Sequence, residues 1–179
     1  MTPPDGSTSP DGGRVARRAH QPANWHWRDG PVEPGPAVVF DMDGVLSDAA
    51  GRQHYLERPF RDWEAFFQAC GDDPVIDEVA RLLQVLDAGL HIVLLTARPI
   101  RVQPQTLGWL LRYQLRWNLL IMRDYGDYES SRDFKQRTVD ELRAFGLDLR
   151  LAFEDDRRNY DMFHAEGVPC VYIHSGYYD

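Results

Sequence analysis

From Ala37 onward, short runs of apolar and β-branched residues recur along the chain, each separated from the next by a segment of helical length. That alternation allows few folds, because a strand, an amphipathic helix and a second strand close as a crossover unit whose repetition builds a parallel sheet with helices on both faces. The runs predict about five strands, at 37–41, 91–96, 119–122, 149–153 and 170–174. Between them the sequence predicts helices over 61–69, 72–89, 104–117, 132–145 and 157–166. In the second, Asp72, Asp73 and Pro74 read as start signals and Gly89 as the stop, with Val75, Val79, Leu82, Leu83 and Leu86 on one face. Gly146 and Gly167 close the last two.

The first 36 residues lie outside this rhythm. They hold seven of the twelve prolines and no aliphatic run, the composition of a flexible leader. Arg14, Arg17 and Arg18 sit there without a hydrophobic run beside them, so no secretory signal is expected. The remaining residues, 37–179, are of a size for one domain. No apolar stretch approaches the ~20 residues of a membrane span, and Cys70 and Cys170 have neither disulfide-framework nor metal spacing. A soluble, cytoplasmic protein in a reducing compartment is the expectation. A formal charge of −8 argues against broad affinity for nucleic acid while leaving room for a local basic channel.

The chemistry concentrates where strands end. In Val38-Val39-Phe40-Asp41-Met42-Asp43-Gly44-Val45, the carboxylates of Asp41 and Asp43 are two residues apart and project to one side of an extended segment, and Gly44 lets the backbone turn away. Two such charges 4 Å apart repel by about 4 kcal/mol at an effective dielectric near 20, so the pair calls for a cation or a raised pKa. Mg²⁺ suits hard oxygen ligands and a phosphate. A second acidic cluster, Glu154-Asp155-Asp156, follows the fourth predicted strand. Each cluster alone is equally well read as a cap for the next helix. Thr96 at a strand end and Lys135 near a helix start supply the hydroxyl and ammonium that a transferring phosphoryl group needs, although a helix lysine by itself is usually a solvated surface residue.

These residues, in this order, resemble the four motifs of the haloacid dehalogenase (HAD) superfamily over nearly all of 37–179. The resemblance implies a Rossmannoid α/β fold and a phosphatase. In it Asp41 is the nucleophile, Asp43 the general acid and base, and Thr96 and Lys135 orient and neutralise the phosphoryl group. It also implies Mg²⁺ held by the Asp41 side chain, the Asp43 backbone carbonyl and Asp155, with Glu154 or Asp156 in support. Glu154 departs from the expected Asp pair and leaves the direct ligand in that cluster open. A carboxylic acid two residues after the nucleophile suits an alkoxide leaving group and argues against dehalogenation.

Only about fifty residues separate the first motif from the second, too few for a large cap, so a minimal cap and an open site are expected. The segment Gly51-Arg52-Gln53-His54-Tyr55-Leu56-Glu57, the triplet Thr96-Ala97-Arg98, the loop before Lys135 and the run through Ser175-Gly176 are similar to the phosphatase domain of phage polynucleotide kinase/phosphatase. That resemblance implies removal of 3′-phosphates from nucleic-acid ends or nucleotides, with Arg52, Arg98 and Arg132 as substrate contacts and Arg123 as a further candidate. For Arg123 and Arg132 a surface ion pair is the stronger reading. No GxxxxGK[ST] segment is present, so kinase or ligase activity in a repair role would fall to a partner. A phosphatase of small metabolites or free nucleotides, and a non-catalytic binding module of the same fold, are the alternatives.

Overall fold

A computed structural model describes residues 21–57 and 59–178. The predicted leader lies outside the described residues up to position 20; from there on the chain is built into the fold. The sheet has six strands, β1 (Trp25–Trp27), β2 (Gly35–Phe40), β3 (His91–Pro99), β4 (Leu119–Arg123), β5 (Leu147–Glu154) and β6 (Cys170–Tyr172), in the order β1-β4-β3-β2-β5-β6. All neighbours are parallel except β1 and β4. The expected parallel sheet of about five strands is present, with β1 added at its edge as an antiparallel sixth. Residues 25–27 fall within the predicted leader because three residues give no visible periodicity. They are held by burial of Trp25, its edge-on contact with Phe145 at 5.6 Å, and the Asn24 amide donating to the Met122 carbonyl at 2.8 Å.

Alternation along the central strands divides the interior in two. Val38, Phe40, Ile92, Leu94, Leu120 and Met122 face one layer. Ala37, Val39, Val93, Leu95, Leu119 and Ile121 face the other. The helices are α1 (Trp63–Gln68), α2 (Asp77–Val85), α3 (Gln103–Arg112), α4 (Ser131–Phe145) and α5 (Arg157–Ala165). Val79, Leu83, Trp109 and Leu110 of α2 and α3 join the first layer; Phe134, Val139, Met162 and Phe163 of α4 and α5 join the second. Near the sheet centre Phe40 stacks on Phe153 at 4.4 Å.

Helix α2 starts later than predicted and stops earlier. Asp72, Asp73 and Pro74 do not cap it, because the chain through 74–76 is extended and bonds the loop after β2: the Asp48 N–H donates to the Pro74 carbonyl at 2.9 Å and the Ile76 N–H to the Leu46 carbonyl at 2.8 Å. The Asp73 side chain turns inward instead, and the helix ends at Val85 rather than Gly89. Together with α1 and two 3₁₀ segments, Ala49–Leu56 and Ala69–Asp72, this is the whole insert between β2 and α2, a small covering layer rather than a cap domain.

Phe40→Ala is expected to destabilise the domain by about 3–5 kcal/mol through the cavity left beside Phe153. Urea unfolding of the variant beside the parent chain checks this; a loss under about 1 kcal/mol would mean that the layer collapses around the gap.

Candidate active site

Parallel pairing sets the site at the carboxyl ends of the central strands. The Phe40–Phe153 register of β2 and β5 brings Asp41 level with Glu154, and the Asp41 N–H continues the ladder by donating to the Phe153 carbonyl at 3.0 Å. From the second layer, α4 delivers Lys135. Ser130 caps that helix by accepting from the Asp133 N–H at 3.1 Å, and Gly146, at φ 104°, ends it in the left-handed conformation. Lys135 is 1% exposed, and its Nζ lies 3.0 Å from Asp41 Oδ1 and 2.7 Å from Glu154 Oε2. Asn159 of α5 donates to the other oxygen of Glu154 at 3.1 Å.

Asp155 is fully buried, and neither carboxylate oxygen has a hydrogen-bond partner of normal geometry, although the Ser175 side chain is near enough to favour its charged form. One oxygen each from Asp41, Glu154 and Asp155 come together within 4.8 Å. Burial, then the charge of Glu154, pushes Asp41 up to about 8 against the pull of Lys135. Burial and the charge of Asp41 push Asp155 up to about 7. Glu154 is raised too, by burial, although Lys135 and Asn159 oppose it. Fully ionised, three carboxylates against one ammonium would leave a buried excess of two negative charges, which the raised acids relieve by taking up protons. Hard oxygen donors, the orphaned oxygens of Asp155 and that excess all fit a divalent cation. Gly44, at φ 82°, keeps the space open: a Cβ there would stand 1.9 Å from Asp155 Oδ2. Asp156 is not in the cluster. It caps α5 by accepting from the Arg158 N–H at 2.9 Å and pairs with the Arg158 guanidinium at 2.8 Å.

The side chain of Asp43 is not part of the three-carboxylate cluster and pairs with arginine. Its Oδ1 accepts from Arg98 Nε at 2.9 Å and Nη2 at 2.5 Å, and from Arg52 Nη2. Burial would raise this acid, but Arg98 and then Arg52 outweigh it and hold the carboxyl below the usual range. Arg52 and Arg98, expected as substrate contacts, are buried and paired with Asp43 and Asp73, and Arg52 also lies over the Phe66 ring at 4.1 Å. Thr96 is buried, its Oγ1 accepting from the Arg98 N–H at 3.2 Å, so it shapes the turn that aims the arginine. Arg132 stays outside, in a surface ion pair with Asp133 at 3.3 Å. Arg123 donates to the Glu129 carbonyl at 2.7 Å and so braces the loop before α4.

Asp73, Ser47 and Asn159 carry site geometry that the motifs do not single out. Only Asp73 has a visible signal, the Asp-Asp-Pro run, and it reads as a helix cap.

A Rossmannoid sheet with a strand-end acid, a buried lysine and a second acidic cluster in these positions defines a HAD-type phosphatase. Residues 35–178 match the model of the polynucleotide kinase PNKP phosphatase domain, and the chain belongs to that family. It is similar to a chain in the Pnkp1/Rnl/Hen1 RNA repair complex, with a TM-score of 0.68, 25% identity and 87% of this chain covered. The match covers 48% of that protein, so this chain spans about half its length. It also resembles the class C acid phosphatase from Bacillus anthracis with tungstate bound, with a TM-score of 0.60 and 15% identity over 82% of this chain and 69% of the other. No curated protein sequence matches the chain. Among the described residues no helix is long and apolar enough to cross a membrane.

The raised acids set the sign of a pH effect. Protons are held by the folded cluster and not by the unfolded chain between pH 5 and 8, so metal-free protein loses stability as pH rises through that window. The melting temperature in chelator should fall from pH 5 to pH 8, and Asp155→Asn should flatten the fall. A parent curve that is level or rising would show that the three acids do not share a buried excess of charge.

Proposed function

We propose that this phosphatase is a Mg²⁺-dependent phosphomonoesterase that works through an aspartyl-phosphate on Asp41 and acts on 3′-phosphorylated nucleic-acid ends or nucleotides. The observation that carries the mechanism is the placement of Lys135 between Asp41 and Glu154, next to the buried Asp155. Asp41 and Asp155, with the Asp43 backbone carbonyl, would hold Mg²⁺, and Glu154 would set the lysine. When bound, the ion would neutralise the excess charge and the phosphate oxygens.

Lys135 steadies Asp41 as a carboxylate and leaves its other oxygen to attack phosphorus. Asp43 delivers a proton to the departing ester oxygen, then takes one from the water that releases phosphate. With Arg98 and Arg52 holding Asp43 below its ordinary pKa, the protonated form gains as pH falls. For the substrate, support comes from membership of the PNKP phosphatase domain family and likeness to an RNA repair protein. The insert is small, and exposed aromatic residues Phe60, Trp63, Tyr125 and Tyr128 offer faces on which bases could stack. A kinase or ligase partner would complete a repair role, and the cytoplasm is the proposed compartment.

Mg²⁺-dependent phosphate release from a 3′-phosphorylated oligonucleotide should be lost in Asp41→Asn, by roughly a thousandfold or more, with the fold retained. Residual turnover within about tenfold of the parent would remove Asp41 as nucleophile. Activity confined to an aryl phosphate would keep the mechanism and discard the nucleic-acid substrate.

A further inference from the structure

The segment that follows β6 reaches the loop after β2 and is fastened at both of its ends. At the first, the Ile173 N–H donates to the Glu154 carbonyl at 2.8 Å, which prolongs the pairing with β5. At the second, the half-buried Tyr177 donates its hydroxyl to Asp48 Oδ1 at 2.7 Å. Asp48 is itself fixed, because the same oxygen caps the 3₁₀ segment Ala49–Leu56 by accepting from the Ala50 N–H at 3.0 Å. The loop leading to it is tight: the Met42 carbonyl accepts from the N–H groups of Val45, Leu46 and Ser47 at 3.2, 2.9 and 2.8 Å. Residues 173–177 thus bridge the end of β5 and the loop after β2, the two places that carry the acids.

Ser175 stands midway along this bridge. A turn at Gly176, at φ 78°, lets the Tyr177 N–H reach back to Ser175 Oγ at 3.3 Å. A Cβ on Gly44 would lie 1.9 Å from Asp155 Oδ2 and 2.9 Å from Ser175 Cβ, so the two side chains meet over that glycine. With one lone pair taken by the Tyr177 N–H, the Ser175 hydroxyl keeps its proton to donate. It is near enough to Asp155 to favour the carboxylate against the push of burial. The contact is looser than a hydrogen bond of normal geometry, so it steers the carboxylate without claiming either oxygen outright.

We propose that Ser175 is a positioning residue for the metal ligand Asp155: held in place by the Tyr177–Asp48 bond, its hydroxyl turns the carboxylate so that an oxygen is offered to the cation. This rests on the reading of Asp155 as a Mg²⁺ ligand. A ligand with a fixed outer partner is already oriented when the ion arrives, and loss of such a partner typically weakens metal binding by about 10- to 100-fold. If the bridge only packed its segment against the sheet, breaking it would lower the stability of the chain and leave its affinity for the ion unchanged.

The Kd for Mg²⁺ therefore provides the test, measured by isothermal titration calorimetry on the full chain after treatment with chelator, with the melting temperature in chelator recorded beside it. Ser175→Ala should raise Kd by roughly 10-fold or more and Tyr177→Phe by roughly 3- to 10-fold, both with little change in melting temperature. A Kd within about twofold of the parent in Ser175→Ala would overturn the inference, whatever its melting temperature. If Ser175→Ala does not fold, the Kd of Tyr177→Phe decides alone. A raised Kd in Ser175→Ala beside a parent-like one in Tyr177→Phe removes the part given to the Tyr177–Asp48 bond. Asp155→Asn run alongside separates the two levels: lost binding there, with parent-like binding in Ser175→Ala, sinks only the role of Ser175. Parent-like binding in Asp155→Asn, or a parent chain that takes up no Mg²⁺, removes Asp155 as a ligand and this inference with it.

Discussion

An ammonium group buried between two carboxylates is costly unless both partners are fixed, and the placement of Lys135 satisfies that condition from three directions. The β2–β5 register fixes Asp41 and Glu154, Asn159 holds the far oxygen of Glu154, and the capped start of α4 fixes the lysine. Without Lys135, three carboxylates would share a nearly dry pocket with no positive charge among them. The central pairing of the sheet and the docking of α4 and α5 therefore serve one electrostatic requirement. The register that aligns Phe40 with Phe153 for packing also aligns the acids beyond them.

A second charged set, Arg52 and Arg98 with Asp43 and Asp73, matches two cations with two carboxylates and has the opposite bias. One raises the acids it contains; the other holds Asp43 down. Asp41 and Asp43 are two residues apart on one backbone, yet they lie in oppositely charged surroundings. Met42, fully buried between them, anchors the turn from the opposite side.

Much of this is legible in the sequence, for reasons of period and position. Strand interiors announce themselves by apolar runs because parallel strands are covered on both faces. Asp41, Thr96, Lys135 and Asp155 stand out by their order and spacing at or near predicted element ends, since each taken alone also reads as a cap or a surface residue. Asp73 does not, since Asp-Asp-Pro is also how a helix starts, and only the pairing of 74–76 with 46–48 decides against it. Arg52 and Arg98 are visible as residues, but their motifs point them at substrate. Sequence separation cannot show that one carboxylate from the insert meets both. Strand β1 escapes notice because three residues carry no pattern, and its evidence is the distant partner strand itself.

That short strand bears on how the protein behaves among its own copies. β4 would otherwise end the sheet with an open row of backbone donors and acceptors, flanked by the apolar side chains of Leu119, Leu120 and Ile121. Trp25–Trp27 covers this row in the antiparallel sense and lays two indole rings against Phe145. A chain cut back to the residues that match the family model, 35–178, would keep every proposed catalytic group and lose this cover. Its weakness would be colloidal rather than chemical: a bare, sticky margin able to pair with the same margin of a neighbour.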